Sequence, residues 1–365
     1  MTKNLARYTR IYLLIFLFII IVSAFVIITQ FPQETKQSST KLLFLGDFMI
    51  GDSYTGPVDY PFESIPALFE EKDDIIINLE TSITNRNTTE NLGKTYLYKI
   101  NETVLNEMIH RNISIVNLAN NHALDYGKKG FNDTISSLNT FNISFFGAGE
   151  NEGNARMGLI KEYPDHTTVG YLGYFEYRSS YDSRYHFYAK HDDSGVSILN
   201  QTNLHTDINR MKNESDIVIV SFHIGENYHP HITTVHKDYA HSAIDYGANA
   251  VICHSAHIIL PMEFYHGCPI FYSLGNSIFT TPGRFRDVDE VYHHGLGIVF
   301  TIEEKQIASM ELIPFKTNNR EIWYQPQFLS EDELKNLLNL IIPREIPYKI
   351  LDSSAKIDYK SVESS

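Results

Sequence analysis

Polar side chains that could bind a metal or transfer a proton follow five separate apolar runs in this 365-residue chain. Carboxylate, amide and imidazole groups of this kind suit Mn, Fe, Zn or Mg rather than the metals that prefer thiolates. A single polar residue at the end of an apolar strand is usually a cap or a hydrogen-bonded residue. Five such strand ends in one chain are hard to explain by packing alone. We therefore predict one site where they meet, formed by Asp47, Glu80, Asn120–His122, His223 and His254–His257.

The central stretch of this pattern is residues 117–127, NLANNHALDYG. An apolar run leads into Asn120, Asn121 and His122, and Asp125 follows one short turn later. Asn and Asp also favour turns and helix caps, so the stretch alone fits a plain turn equally well. Polar groups at the carboxyl end of a buried strand are, however, where open α/β sheets bind their ligands.

The order of the predicted elements indicates an α/β protein. Short apolar strands alternate with helical spacing through the first half of the chain, a pattern typical of a largely parallel sheet flanked by helices. Single strands are predicted at 41–45, 74–80, 113–119, 143–146, 216–222 and 250–253. Hairpin-like strands are predicted within 159–177, and two strands in each of the ranges 258–279 and 296–313. Helices are predicted at 62–71, 101–111, 130–141, 202–212, 233–246 and 330–341. The last helix is predicted to begin with a capping box of Ser330 and Glu333. The final 20 residues are predicted to be loose. The Tyr-rich residues 178–202 are predicted to form a long loop near the site.

Residues 11–29 are nineteen residues without a charge. At about 1.5 Å per residue, such a helix roughly matches the thickness of a bilayer. Lys3, Arg7 and Arg10 precede it, which places the N-terminus in the cytoplasm and the rest outside. We predict a cytoplasmic stub at 1–10, a transmembrane signal anchor at 11–30 and a linker at 31–40. The protein would be a single-pass membrane protein with its catalytic domain extracellular or lumenal; a cleaved signal peptide is the alternative.

Composition narrows the possible partners. The formal charge of −14 argues against nucleic acid, which needs a basic surface. Cys253 and Cys268 are too few for a disulfide framework, and either one bridge or two separate buried thiols fits the sequence. Seven Asn-x-Ser/Thr sequons predict a glycoprotein if the host is eukaryotic and carry no meaning if it is bacterial.

Several motifs occur in a fixed order over roughly residues 41–302: LLFLGDFMIGD, IIINLETSIT, VNLANNHALDYG, VIVSFHIGENY, AVICHSAH and FYSLGN. In these motifs the chain resembles the capsule-synthesis CapA family, the poly-γ-glutamate biosynthesis proteins with a calcineurin-like metallophosphatase fold. The resemblance implies an α/β/β/α sandwich with two central mixed sheets over 41–316, followed by a C-terminal helix and loose tail over 317–365.

The resemblance also implies roles for single residues. His122 would donate a proton to the leaving group, and Asp125 would orient His122. Met49 occupies the place where metallophosphatases usually have a histidine on the first strand. The ligands of one or two divalent metal ions would be Asp47, Glu80, Asn121, His223, His254 and His257.

The function implied by the resemblance is metal-dependent hydrolysis or transfer on an anionic polymer of the poly-γ-glutamate or capsule type. Two metals held by such ligands can activate water and stabilise a leaving oxygen. One alternative is a metallophosphoesterase acting on small phosphoesters. Another is a non-catalytic assembly subunit, whose partners would be the membrane subunits of a polymer-synthesis complex.

Overall fold

The structure is a computed structural model that describes residues 16–17, 39–51, 54–91 and 93–362. The chain divides into two units, 1–38 and 39–365, and the fold below is that of the second. The predicted stub at 1–10, the transmembrane segment at 11–30 (residues 16–17 apart) and most of the linker lie outside the described residues. Within the described ranges, no helix combines the length and the apolar character needed to cross a bilayer.

The described residues form a ten-stranded mixed sheet around the first strand, Thr40–Met49. On one side this strand pairs in parallel with Asp74–Leu79, and on the other it pairs antiparallel with His294–Glu303. Asn276–Phe279 also pairs with its carboxyl half, and Gln327–Phe328 pairs with Gln306–Lys316. The order across the sheet is Lys349–Ile350, Ala355–Asp358, Gln306–Lys316, His294–Glu303, Thr40–Met49, Asp74–Leu79, Ile113–Asn117 and Ser144–Phe146.

A second mixed sheet of seven strands comes from the later part of the chain. Five of its strands run parallel to one another, and Met262–Tyr265 and Leu159–Glu162 each add an antiparallel pairing. The order is Ile198–Leu199, Thr168–Glu176, Ile217–His223, Ala250–His254, Cys268–Phe271 and Met262–Tyr265, with Leu159–Glu162 beside Thr168–Glu176. Two short two-stranded ladders pair Ala148–Gly149 with Gly195–Val196 and Ser82–Ile83 with Lys99–Ile100.

The buried apolar side chains place the sheets face to face, with helices on the outside. Phe44 and Ile76 of the first sheet share a core with Tyr171 and Ile219 of the second. Helices Thr103–His110 and Gly127–Thr140 cover the outer face of the first sheet, and Gln201–Glu214 and Thr234–Tyr246 cover that of the second. Shorter helices lie at Glu152–Met157, Ser179–Ser183, Asn319–Ile322 and Tyr359–Val362. This is the mixed α/β class with two central mixed sheets that the sequence predicts.

The C-terminal helix agrees with its prediction, whereas the helix predicted at 62–71 is wrong. The helix Glu331–Ile341 begins with the predicted capping box of Ser330 and Glu333. Residues 62–71 instead contain two short 3-10 turns, Tyr60–Phe62 and Pro66–Leu68. Pro66 cannot donate the backbone hydrogen bond that a continuous helix needs at this position, so the chain turns there.

The predicted loose tail is also wrong, because part of it belongs to the first sheet. Ala355–Asp358 pairs antiparallel with Gln306–Lys316, and Ile357 packs fully buried in the core between the layers. Alternating residues of this short strand are buried and exposed, which is the period of a half-buried strand. Four residues were too few to stand out from the polar composition around them.

Ile357→Ala is expected to destabilise the protein by about 2–5 kcal/mol, because it leaves a cavity beneath the sheet. Urea unfolding of the purified chain measures this loss. Lys356→Ala, on the exposed face of the same strand, is the matched control and should change stability by less than about 0.5 kcal/mol. Equal small effects of both substitutions would mean that the tail does not contribute to the folded core.

Of the two alternatives for the cysteines, the structure has two separate thiols. Val251 and Ile270 are partners on neighbouring parallel strands. This register puts Cys268 opposite residue 249, four residues before Cys253, or about 13 Å along the strand. A disulfide needs Cα atoms within about 7 Å of each other.

Candidate metal centre and acid–base dyad

The register of the parallel strands brings the polar strand ends to one edge. Asp47 is the strand partner of Asn78, and Asn78 is the partner of Asn117. In the second sheet, His223 is the partner of His254. The carboxyl ends of both sheets therefore meet at one place, as the sequence predicts.

Two buried carboxylates and one imidazole form the centre of the site. Asp47 and Glu80 are fully buried, and His257 is nearly so. The His257 Nδ1 atom lies 3.2 Å from Asp47 Oδ2 and 3.8 Å from Glu80 Oε2. Each of the three offers a ligand atom within 4.8 Å of the others, close enough for one metal ion to bridge them.

Two further histidines complete the second-sheet side. His223 Nε2 lies 3.8 Å from Glu80 Oε1, and His254 Nδ1 lies 3.6 Å from Asp47 Oδ1. Ser255 and His257 have positive φ angles of 101° and 58°, a backbone conformation that is rare outside glycine. Strained backbone of this kind concentrates at functional sites, and here it brings two histidines of one short loop to the same carboxylate.

The hydrogen-bonding state of these atoms supports metal binding. Both carboxylate oxygens of Glu80, Oδ1 of Asn121, Nε2 of His223 and Nδ1 of His254 are buried without a hydrogen-bond partner among the described residues. A buried polar atom without a partner is destabilising and therefore uncommon. Five such atoms from four predicted ligands fit a divalent cation that would satisfy them together.

Burial and neighbouring charges shift the pKa values in opposite directions. Burial raises the pKa of the Glu80 carboxyl well above its usual range, and His257 opposes this rise. Burial also raises the pKa of Asp47, but the hydrogen bond and charge of His257 outweigh it and hold that pKa below its ordinary value. Burial lowers the pKa of His223 and His254, so both rings are neutral and able to act as ligands.

Amide groups hold the first-strand carboxylate in place. Asn78 Nδ2 donates to Asp47 Oδ1 at 2.8 Å, and Asn117 Nδ2 donates to Asn78 Oδ1 at 3.0 Å. Asn120 Nδ2 donates to the Leu79 carbonyl at 2.8 Å, and its Oδ1 accepts from the His122 backbone N–H. Asn120 therefore holds the turn, whereas Asn78 and Asn117, which belong to the predicted strand ends but had no predicted role, hold Asp47 in place.

Met49 supplies no ligand at the position of the usual histidine. Its side chain is fully buried, and the first-strand carboxylate that lies beside His254 and His257 is that of Asp47. Gly46 lets this strand approach Gly275 so closely that a Cβ at residue 46 would lie 1.9 Å from the Gly275 carbonyl oxygen. This contact places the GD and SLGN motifs against each other in the fold.

His122 and Asp125 form the predicted pair beside the predicted metal ligands. His122 Nδ1 lies 2.7 Å from Asp125 Oδ2, and His122 Nε2 lies 3.8 Å from Glu80 Oε1. Burial lowers the pKa of His122 to about 4, an effect that Asp125 opposes and Lys94 reinforces. The neutral ring donates its Nδ1–H to Asp125, so Nε2 must take up a proton before it can give one.

The sequence prediction missed Lys94 and Tyr98, which surround this pair. The Lys94 ammonium donates to Asp125 Oδ1 and lies 3.1 Å from His122 Nδ1. The Tyr98 ring packs against the imidazole with centroids 4.3 Å apart, and its backbone N–H donates to Asp125 Oδ2 at 2.6 Å. Both residues come from a polar segment without periodicity, whose sequence gives no signal for burial.

An open cavity of about 730 Å³ leads to the site. His122, Asn121 and His257 line it, together with five tyrosines and three cationic residues, and its described lining contains no carboxylate. The Tyr-rich loop predicted near the site contributes Arg178, Ser180, Tyr181 and Tyr185. This is a cationic, aromatic entrance in a chain whose formal charge is −14.

The fold and the site together define an α/β protein with two packed mixed sheets and a buried cluster of carboxylates and histidines at their shared edge, in which Asp47, Glu80 and His257 could hold a metal ion. The family model described as "Bacterial capsule synthesis protein PGA_cap" matches residues 41–281. The chain belongs to this family.

Curated relatives agree with the family. The PGA biosynthesis protein CapA of Bacillus subtilis (strain 168) is 28% identical over 307 residues, which cover 80% of this chain and 79% of that protein. The capsule biosynthesis protein CapA of Bacillus anthracis is 25% identical over 327 residues, 86% of this chain and 76% of that protein. A solved structure described as a novel phosphatase of Mycoplasma pneumoniae has a TM-score of 0.48 at 13% identity and covers 77% of this chain and 95% of that one.

Proposed function

We propose that this protein is a metal-dependent hydrolase or transferase that acts on an anionic polymer of the poly-γ-glutamate type. The observation that carries the proposal is the set of five buried, unpartnered ligand atoms beside the His122–Asp125 pair. Such atoms destabilise the fold unless a bound cation satisfies them. A purely structural ion would not require a proton-transfer group beside it, so the His122–Asp125 pair favours a catalytic ion.

The residues divide the chemistry between them. Asp47, Glu80, Asn121, His223, His254 and His257 would hold one or two divalent ions. A bound ion supplies a Lewis acid that polarises the scissile group of the substrate. His122 accepts at Nε2 the proton that the attacking water or acceptor hydroxyl loses, and then gives this proton to the leaving group. Asp125 fixes the ring so that Nε2 points toward Glu80.

The proposed substrate class rests on the family and on the charge of the cavity. The relatives from the two Bacillus species are described as PGA and capsule biosynthesis proteins. Arg178 and Arg284 line the cavity near the metal-binding residues, and they would attract carboxylates or phosphates of a polyanion. The predicted anchor at 11–30 would hold the catalytic domain outside the cytoplasmic membrane, beside the membrane subunits of polymer synthesis.

Metal binding is the first test. Full-length protein purified without chelator is expected to contain about one or two equivalents of Mn, Fe, Zn or Mg by elemental analysis. At free metal 100-fold above its Kd, the stability should exceed that of chelator-treated protein by about 2.7 kcal/mol. Less than one equivalent together with no effect of added metal on thermal unfolding would reject the enzyme proposal and favour the assembly subunit.

A substrate screen with added Mn is the second test. We expect cleavage or transfer of γ-glutamyl amides and not of generic phosphodiesters. Phosphodiester turnover alone would favour the metallophosphoesterase alternative, which shares the same site. A metal-loaded protein without turnover on either class would reject catalysis.

A further inference from the structure

Lys94 is a buried lysine beside the acid–base pair. Its side chain is 7% exposed, and lysine is almost never buried unless it is paired. The rings of Tyr181 and Phe187 lie 5.8 and 5.6 Å from its ammonium. Burial lowers the pKa of Lys94, and the charge and hydrogen bond of Asp125 oppose this shift.

The two oxygens of Asp125 have different partners. Oδ2 faces His122 Nδ1 and accepts the Tyr98 backbone N–H, whereas Oδ1 accepts the Lys94 ammonium. Asp125 is itself fully buried. The carboxylate therefore depends on Lys94 for the balance of its charge and for the fixed position of its second oxygen.

We propose that Lys94 is a positioning residue for the acid–base pair. It holds Asp125 Oδ1, keeps Oδ2 directed at His122 Nδ1, and so fixes the direction of Nε2 at the floor of the cavity. The inference rests on the proposed function, since it concerns how the same site transfers protons. Lys94 lines the cavity, but its side chain is only 7% exposed and its ammonium donates to Asp125, so little of its charge is presented to a substrate.

The test compares Lys94→Met, which keeps the length of the chain and removes its charge, with Lys94→Arg, which keeps the charge. Lys190→Met is the matched control, because Lys190 pairs with Asp182 and is 55% exposed. Lys94→Met is expected to lower kcat by about 10- to 100-fold, the range for residues that orient a functional group. KM should stay within about twofold, metal content should be unchanged, and Lys94→Arg should recover part of the loss.

A double-mutant cycle with Asp125→Asn measures whether Lys94 affects kcat through Asp125. If Lys94 acts through Asp125, then Asp125→Asn lowers kcat much less in the Lys94→Met background than in the wild type. Multiplicative losses would overturn the proposal. A raised KM with unchanged kcat would also overturn it and would make Lys94 a substrate-binding residue. If Lys94→Met does not fold, Lys94→Gln, which keeps a hydrogen-bond donor without the charge, enters the same cycle.

The proposal can fail separately from the proposed function. If the wild type turns over no substrate, the proposed function has failed, and the crystal structure of Lys94→Met decides the role of Lys94. The expected result is that Asp125 Oδ2 and His122 Nδ1 separate beyond about 3.5 Å, outside hydrogen-bond range. An unchanged contact would show that Lys94 does not position the pair.

Discussion

Glu80→Gln is expected to make the metal-free protein more stable and the metal-loaded protein inactive. In the metal-free chain, both oxygens of Glu80 are buried without a partner among the described residues, so the carboxylate is destabilising. Burial raises the pKa of Glu80, so at neutral pH the metal-free chain must either bury this carboxyl charged or take up a proton as it folds, and both lower its stability. An amide of the same shape requires neither, and we expect the free energy of unfolding at neutral pH to rise by about 1–3 kcal/mol.

The same substitution removes a proposed ligand that faces two other proposed ligands and the proton-transfer residue His122. Glu80 faces His257, His223 and His122, each at 3.8 Å. Its loss should weaken metal binding, and because a bound ion contributes several kcal/mol of transition-state stabilisation, turnover should fall by more than about 10³-fold. The order of stability therefore reverses: the Glu80→Gln variant is the more stable protein in chelator, and the wild type is the more stable one with added Mn.

Thermal unfolding with and without chelator, together with elemental analysis, measures both effects. Glu263→Gln is the matched control, because Glu263 lies 3.0 Å from His241 and accepts the Tyr272 hydroxyl at 2.6 Å. This control should destabilise the chain and leave metal content unchanged. If Glu80→Gln destabilised the metal-free protein and retained full metal content, Glu80 would be a structural residue.

The strand ends were predictable because their signal is local. An apolar run followed at once by Asp, Glu, Asn or His can be read without knowledge of the fold, and parallel strands bring their carboxyl ends to one edge whatever the details of packing. The unpartnered atoms of Glu80, Asn121, His223 and His254 support this interpretation. The position of one sheet relative to the other could not be predicted from the sequence, because the packing of the two sheets, and not a local pattern, places Asp47 of one sheet beside His254 of the other.

The features that escaped prediction depend on tertiary contacts. Lys94 lies in a polar segment typical of solvated surface, and only the packing of Tyr181 and Phe187 around it makes it buried. The strand Ala355–Asp358 is stabilised by pairing with a distant strand rather than by its own propensity. The 3-10 turns at 60–68 follow from Pro61 and Pro66, whose effect outweighs the helical spacing around them.

Replacement of Asn121 and of its neighbour His122 should have different effects on metal content. Asn121→Ala removes a buried oxygen that has no hydrogen-bond partner in the described part of the chain, so we expect loss of both metal and turnover. His122→Gln removes the proton-transfer group but leaves the six metal-binding residues, so metal content should be retained. Turnover should then fall by about 10²- to 10⁴-fold, the usual contribution of a general acid or base.

The different metal contents expected of the two variants follow from the orientation of the His122 ring. Its Nδ1–H is held by Asp125 at 2.7 Å, whereas Nε2 lies 3.8 Å from Glu80 and is the atom free to exchange a proton. Asp125→Asn should therefore resemble His122→Gln, with metal retained and turnover reduced. His241→Gln, at a half-buried histidine paired with Glu263 on the edge of the second sheet, is the control and should change neither quantity.

Kinetics and elemental analysis of the same preparations distinguish the two roles. If His122→Gln loses metal as Asn121→Ala does, then Nε2 is a ligand, and the 3.8 Å contact with Glu80 reflects a shared ion rather than a route for protons. If His122→Gln keeps both metal and turnover, the pair has no catalytic role. Loss of turnover with metal retained would assign proton transfer to His122, because none of the proposed ligand side chains has been removed.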